Sequence, residues 1–418
     1  MQIVKNSLIY LTASILNKSI PLLLLPIFTK YLSPSEFGLL SIFQLLLTFY
    51  SALVGMAIHT NISKNFFKYD RASMAKLIGN IIFILCFAAL SVSVVTLFII
   101  YSGNTFFSMP VYWIQIMPML SLLLMINTLN LTVLRNEGNA KLFGIFEISN
   151  TLVNTITAIA MLLIYNMGWE SQVIGITFSY LVFFAISLSH MYRRKYLLFK
   201  FDLNEIKSIL KLSLPLIPHV MGGTIIALSD RIFIEQMVGL SEVGIYSVGY
   251  MFGMIVMLFT DAFVKAWTPW FFKSIVEPTE AMKKKIVRYS YYYIFFIFIL
   301  AVVISQIAEN ILPFFVNEKY YSAKKFIIWI SLGYAIQGIY KIFLPYLIHL
   351  NKTSFLATST VLAAIVNLVL NYFLIREYGS MGAAYATIIA FAFSATLLFW
   401  YQNRGYPMPW FNFQASVK

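Results

Sequence analysis

With 418 residues, 60% of them hydrophobic and only 11% charged, and a mean hydropathy of +0.81, this chain cannot fold as a water-soluble globule. The formal charge of +14 is spread over many short segments and not gathered on one face, which suits membrane topology and argues against nucleic acid as a partner. A single cysteine, Cys86, excludes an internal disulfide.

A helix needs roughly 20 apolar residues to cross about 30 Å of hydrocarbon. Twelve stretches meet that requirement, near 7–30, 37–60, 77–101, 112–134, 142–166, 171–192, 208–233, 243–266, 289–309, 326–349, 354–375 and 381–402. The runs are continuous and do not alternate over about ten residues, so they predict helices and not barrel strands. The expected fold is an all-α integral membrane protein, with the lipid bilayer as its solvent and no soluble domain left over. Lys5 followed by an apolar run looks like a secretory signal, but Asn17 and Lys18 interrupt it, and it reads better as the first span.

In chain order, span one places Lys18 close to mid-membrane, with Asn17 beside it and Pro21 and Pro26 beyond. A lysine that far from either end either faces a cavity or neutralises a carboxylate on another helix. Span five carries the clearest polar stripe, because Glu147, Asn150 and Asn154 at i, i+3 and i+7 share one helical face. That row either lines water or bonds a neighbouring helix, and Asn127 and Asn130, and Asn367 and Asn371, repeat the pattern more weakly. Arg135, at the end of span four, reads as an interface anchor.

Span seven sets His219, Gly223 and Asp230 on one face above Pro215 and Pro218, and Arg231 follows Asp230. The Asp230–Arg231 neighbours read either as an ion pair pinning the helix end or as part of a polar path. In span eight, Asp261 precedes Lys265 by four residues, a spacing that also makes structural pairs. In span ten, Lys341 follows Gln337 by four.

Lys and Arg favour cytoplasmic loops. With both termini inside, one side collects Lys64, Lys68, Arg71, Lys76, Arg135, Lys141, the loop 193–211 and the run from Lys273 to Arg288, whereas the other has Lys30, Arg231, Lys319, Lys324, Lys325 and Arg376. Trp113 and Trp169 then belong to an outer aromatic belt, and Trp267 and Trp270 to an inner one.

The chain also echoes itself. Ser35-Glu36-Phe37-Gly38-Leu39-Leu40-Ser41 returns as Ser241-Glu242-Val243-Gly244-Ile245-Tyr246-Ser247, and Leu163–Gly168 (LIYNMG) returns as Leu374–Gly379 (LIREYG). Both echoes fall between equivalent spans, so two six-span units are expected. These are an amino-terminal lobe 1–195, a basic cytoplasmic linker 196–212 running into helix seven, and a carboxy-terminal lobe 213–418.

Tyr31-Leu32-Ser33-Pro34-Ser35-Glu36-Phe37-Gly38, Ser229-Asp230-Arg231-Ile232-Phe233-Ile234 and Glu242-Val243-Gly244-Ile245-Tyr246-Ser247 resemble recurring phrases of polysaccharide exporters. These include the O-antigen flippases of the multidrug/oligosaccharidyl-lipid/polysaccharide exporter superfamily. The resemblance implies a V-shaped, MATE-like pair of six-helix lobes in a bacterial plasma (inner) membrane. It implies transfer of an undecaprenyl-diphosphate-linked oligosaccharide from the inner to the outer leaflet, with the glycan polymerase and chain-length regulator as further partners.

A diphosphate cannot shed its water into hydrocarbon without replacement partners. Substrate contacts are therefore expected from Lys18, Asn17, Asn150, Asn154, Arg231, Lys341 and Gln337, since ionisable groups within spans usually face a bundle interior or cavity. Glu147, Asp261 and His219 are the candidates for proton or sodium coupling, and no cofactor or metal is expected. The chain carries no phosphate-cradling glycine-rich loop, no clustered His/Cys ligands and no nucleophile elbow, so the expectation is a transporter and not an enzyme. Three alternatives stay open. They are a cation-coupled multidrug exporter, disfavoured because no acid lies between Met1 and Thr29, a glycan polymerase or acyltransferase, and a peptidoglycan-precursor flippase, whose family usually has fourteen spans.

Overall fold

The computed structural model describes residues 20–103, 108–275, 279–350 and 352–411, and among these its regular structure is helical, with no strand. A helix satisfies its backbone hydrogen bonds internally, which hydrocarbon demands of any open segment. The helices are α1 (Ile20–Tyr31), α2 (Pro34–Gly55), α3 (Thr60–Asn65), α4 (Arg71–Tyr101), α5 (Val111–Asn136), α6 (Ala140–Ile164), α7 (Glu170–Arg193) and α8 (Leu203–Ser213). They continue with α9 (Ile217–Met237), α10 (Leu240–Gly253), α11 (Ile255–Ile275), α12 (Glu280–Phe315), α13 (Lys324–His349), α14 (Thr353–Tyr378) and α15 (Ser380–Gly405).

Ten described helices are long and apolar enough to cross a membrane, with α10 and α11 running on as one of them. α1, described from Ile20, and α9, which carries Asp230, Arg231 and Glu235, occupy the places of expected spans one and seven. Together they bring the set to the twelve read from hydropathy.

Span seven begins later than the 208–233 expected. Residues 208–213 belong to α8, a separate amphipathic helix, and a short 3-10 turn, Leu214–Leu216, leads into α9. Pro215 and Pro218 lack the amide donors that a continuous helix would need here. Span two also stops earlier, at Gly55, because Met56 and Ala57 turn the chain with φ of 44° and 51°.

The chain forms two compact units, residues 1–224 and 225–418, and the change of unit falls within α9. In the first, α5 packs against α2, α4 and α7, while α6 lies along α7. In the second, α13 packs against α10, α11, α12 and α15, and α14 lies along α15. In both, the last two long helices form a close antiparallel pair.

The sequence echoes meet in space. Glu36 opens α2 in a capping box, accepting from the Ser33 amide at 2.9 Å and the Ser33 hydroxyl at 2.8 Å. Its Oε1 also lies against Gly168, the corner between α6 and α7, where φ is +55° and any Cβ would collide with that oxygen. In the second unit Glu242, at the start of α10, accepts from Ser380 Oγ at 2.6 Å, beside Gly379 with φ +57° at the corner between α14 and α15. Each unit thus uses one acid to hold its final hairpin.

The expected linker is built into the first unit. Asn80 of α4 donates to Lys200 O and to Glu205 Oε2, both at 3.0 Å, and accepts from the Asp202 amide at 3.0 Å. Leu198 N donates to Ala75 O at 3.1 Å, and at Gly79 the Leu198 carbonyl comes so close that no side chain fits. Lys76 binds Asp202, whose carboxylate also caps α8 by accepting from the amides of Asn204 and Glu205. At the same end, both Glu137 carboxylate oxygens accept from Arg194 Nη2, at 2.9 and 3.0 Å, and Oε1 also accepts from the Tyr196 hydroxyl at 2.7 Å, with Arg71 at 3.6 Å.

The Lys76 ammonium and the two cap amides hold the Asp202 carboxyl below its ordinary value of 3.8. A depressed carboxylate contributes its stabilisation above that value and loses it as pH falls through the lower folded one. Hydrogen exchange of residues 198–205, corrected for intrinsic rates, should therefore be flat from neutrality to about pH 5 and accelerate below about pH 4, and Asp202→Asn should abolish the transition.

Candidate functional site

Three local elements build a polar cavity of about 340 Å³ inside the first unit. α5 contributes Leu124, Asn127, Thr128, Leu131, Thr132 and Arg135, whose spacing of three and four keeps them on one face. α6 contributes Phe143, Glu147, Asn150 and Thr151 in the same way, and the turn before α3 adds His59. The α5–α6 connection is short, with Gly138 at φ +72°, yet α6 packs chiefly on α7, so the space between α5 and α6 is left unfilled.

The wall is pre-set. Thr128, Thr132 and Thr151 donate back to Leu124 O, Thr128 O and Glu147 O at 2.9, 2.8 and 3.1 Å. Asn127 Oδ1 accepts from Ser187 Oγ of α7 at 2.9 Å, which fixes that amide. Asn150 Oδ1 is buried without a hydrogen-bond partner. Such an acceptor is costly to keep in a dry bundle.

Arginine accounting marks the electrostatics of this wall. Arg71 and Arg194 are both spent on Glu137, but Arg135, two residues before it, leaves the helix on another side. Among the described residues Arg135 makes no salt bridge, and its guanidinium lines the cavity beside His59. Arg135, read as an interface anchor, is exposed in the last turn of α5 and also lines the cavity. Glu137 does not pair with it, because an acid at i+2 cannot meet an arginine across a helix.

The residues singled out in sequence are dispersed. Glu147 and Asn150 face this cavity, whereas Asn154 accepts from Gln172 Nε2 at 3.3 Å and joins α6 to α7. The three-residue stripe thus splits between cavity and helix contact. Lys18 and Asn17 lie outside the described residues, as does the side chain of His219, a residue of α9.

In the second unit Lys341 donates to Asp261 Oδ1 at 2.7 Å, so Asp261 meets α13 as well as standing one turn from Lys265. Gln337, one turn before Lys341, has a buried Oε1 without a hydrogen-bond partner. Arg231 is buried, donates to Ala227 O at 3.1 Å and stacks over Tyr250 and Tyr246 at 4.1 and 4.9 Å.

A buried knot in the second unit escaped the sequence reading. Asp230, fully buried, accepts from Thr387 Oγ1 at 2.8 Å, Tyr246 OH at 2.9 Å and Asn371 Nδ2 at 3.0 Å, with Asn367 Nδ2 at 3.5 Å. Ser229 donates to Asn367 Oδ1 at 2.6 Å, and Tyr334 donates to Tyr250 at 2.7 Å. Five helices, α9, α10, α13, α14 and α15, are tied together by these side chains. The asparagines at 367 and 371 were the available signal, but only the fold brings them to Asp230.

A family model described as polysaccharide biosynthesis protein matches residues 3–275. The chain belongs to that family. A Haemophilus influenzae relative, "Lsg locus putative protein 1", is 25% identical over 385 residues, covering 88% of this chain and 90% of its own. A second from that organism, an uncharacterized membrane protein, is 25% identical over 374 residues, covering 88% and 89%.

Among solved structures, the lipid II flippase MurJ in an inward closed conformation gives a TM-score of 0.72 at 15% identity, covering 94% of this chain and 87% of its own. A multidrug resistance MATE transporter of the MOP superfamily, inward-facing, gives 0.69 at 12% identity, covering 93% and 94%. These likenesses show a shared fold. The resemblance to polysaccharide exporters read from short phrases is borne out by the family match and this fold.

Within this family member, then, one unit holds a polar cavity lined by a guanidinium that makes no salt bridge among the described residues, and the other holds a saturated buried carboxylate. The first can receive an anion with hydroxyls attached, while the second is occupied with holding helices together. Asp230→Ala should strand four donors and leave Arg231 buried without its neighbouring charge, costing about 3–5 kcal/mol. The check is thermal unfolding in detergent, where the variant should melt far below the parent; an unchanged melting temperature would remove Asp230 from its structural role.

Proposed function

We propose that this protein is a flippase carrying an undecaprenyl-diphosphate-linked oligosaccharide, an O-antigen unit or similar glycan, from the inner to the outer leaflet of a bacterial plasma membrane. The observation that carries this reading is Arg135, which makes no salt bridge among the described residues and lines a polar cavity of the first unit. Membership of a polysaccharide biosynthesis family supports the substrate class, and the fold shared with a lipid II flippase supports transport over enzymatic chemistry.

In this reading the basic end of the first unit faces the cytoplasm, as do both termini, so the cavity opens towards the leaflet where the substrate is made. Arg135 and His59 exchange the water around diphosphate oxygens for directed N–H donors, which offsets the cost of desolvation. Asn127 and Asn150 offer amide groups, and the threonine hydroxyls complete a surface suited to sugar hydroxyls. The prenyl tail never enters the cavity, since it is already soluble in the surrounding lipid. Alternation of access between the two faces then moves only the polar headgroup, and the glycan polymerase and chain-length regulator receive it outside.

Coupling follows from the same wall. Glu147 lines the cavity with Arg135, so an entering diphosphate brings like charges together, and uptake of a proton or sodium ion at Glu147 relieves that repulsion. Release of the substrate restores the starting charge state. Asp261, already bound to Lys341, is less available for this role.

The test is accumulation of unpolymerised lipid-linked repeat units on the cytoplasmic leaflet. Arg135→Gln should lower headgroup transfer about 10- to 100-fold, the worth of a charge-assisted hydrogen bond, at unchanged membrane abundance. Normal glycan display in that variant, or drug hypersensitivity without glycan loss in a deletion strain, would overturn the reading. Glu147→Gln should leave residual transfer that no longer responds to an imposed proton or sodium gradient in proteoliposomes.

A further inference from the structure

The connection between α7 and α9 is an unusual surface for a cytoplasmic loop. Phe199 and Phe201 are 58% and 65% exposed, and Leu198, Leu203 and Leu214 are exposed with them. Lys195, Lys200, Lys207 and Lys211 are exposed in the same segment. Both acids of the segment are turned inward and consumed, Asp202 by Lys76 and Glu205 by Asn80 with Lys76 near by. The charge left on its open side is entirely positive.

Phe199 and Phe201 do not stand alone. Their rings pack at 5.9 and 6.0 Å from Phe83, twelve residues into α4. Phe83 begins a row of exposed residues, Phe83, Phe87, Leu90 and Val94, spaced i, i+4, i+7 and i+11 along one face of α4. Such a row on a membrane-spanning helix faces acyl chains. The two phenylalanines join that lipid-facing stripe at Phe83, on the side of α4 that leads back to its basic start at Arg71 and Lys76.

α8 continues the pattern. Its buried side is Ile209 and Ser213, the latter accepting from Asn61 Nδ2 at 2.9 Å, while Leu203, Lys207, Lys211 and Leu214 follow one another on the open side. Two lysines flanked by leucines along one edge let the apolar groups enter the boundary region while the ammonium groups reach polar headgroups. The backbone beneath is clamped to α4 through Asn80 and Leu198, so the surface is presented in a fixed pose.

We propose that residues 195–214 form a binding surface for anionic phospholipid on the basic side of the membrane, with Phe199 and Phe201 inserted at the acyl boundary and the four lysines on the headgroup phosphates. Clustered lysines on an amphipathic helix flush with a bilayer have the electrostatics for this partner, and continuity with the α4 stripe distinguishes it from a soluble protein. The surface is separate from the cavity of Arg135, and it stands whether or not that cavity carries a diphosphate.

The test uses the full chain in vesicles of phosphatidylcholine alone or mixed with phosphatidylglycerol. Native mass spectrometry of the released protein should show phosphatidylglycerol retained over phosphatidylcholine, and K195Q/K200Q/K207Q/K211Q should lower that preference at least about tenfold. Because Cys86 is the single cysteine, a nitroxide attached at position 201 in C86S/F201C reports depth without disturbing the lysines. Access to oxygen over a water-soluble relaxer is expected there. An undiminished preference in the lysine variant overturns the proposal. So does a label at 201 that is open to water in both lipids, or shielded from both reagents as a protein partner would leave it.

Discussion

A polar atom inside a bundle surrounded by acyl chains must find its partner within the protein, because no water stands ready to replace one. Asp230 shows the rule at its strictest. A fully buried carboxylate takes donors from α10, α14 and α15, and the neighbouring Arg231 is quieted by two tyrosine rings and a carbonyl. Apolar packing between helices gains little when lipid is as apolar as leucine, so such knots decide which helices meet. The same rule separates structure from candidate function in the first unit: Glu137 engages Arg71 and Arg194, whereas Arg135 makes no salt bridge among the described residues and lines the cavity.

That separation sets what hydropathy and periodicity can show and what they cannot. Spans are legible because hydropathy reports a one-dimensional property, and the long helices from α1 to α15 follow the twelve apolar runs in order, with boundaries moved where Met56 and Ala57, or Pro215 and Pro218, turn the chain. The polar stripe of α6 was visible as a face, yet its division between cavity and neighbour was not. Glu147, Asn150 and Asn154 look alike in sequence, and only the position of Gln172 on α7 assigns Asn154 to a helix contact. Arg135 reads as an anchor because a basic residue at a span's end usually is one, and nothing local shows that it also lines a cavity.

Lys341 and Asp261 carry the opposite lesson. Each was noticed separately, one as a substrate contact and one as an ion carrier, and the fold joins them at 2.7 Å across helices 80 positions apart. Long-range pairing of this kind leaves no trace in periodicity. The linker behaves likewise: its basic composition was evident, but its attachment to α4 rests on Asn80, a residue whose amide reaches three backbone and side-chain groups more than a hundred positions away.

The repeated corner at Gly168 and Gly379 has a consequence for how the chain is made. Glu36 and Glu242 are each held against a turn that emerges from the ribosome more than a hundred residues later, 138 in the second case. At roughly 5–20 residues per second, either acid waits on the order of ten seconds in a nascent bundle before its counterpart arrives. Each corner therefore forms only when the sixth span of its own half has been inserted. Biogenesis is thereby divided into two successive sealing events, with the earlier half complete while the later one is still being threaded into lipid.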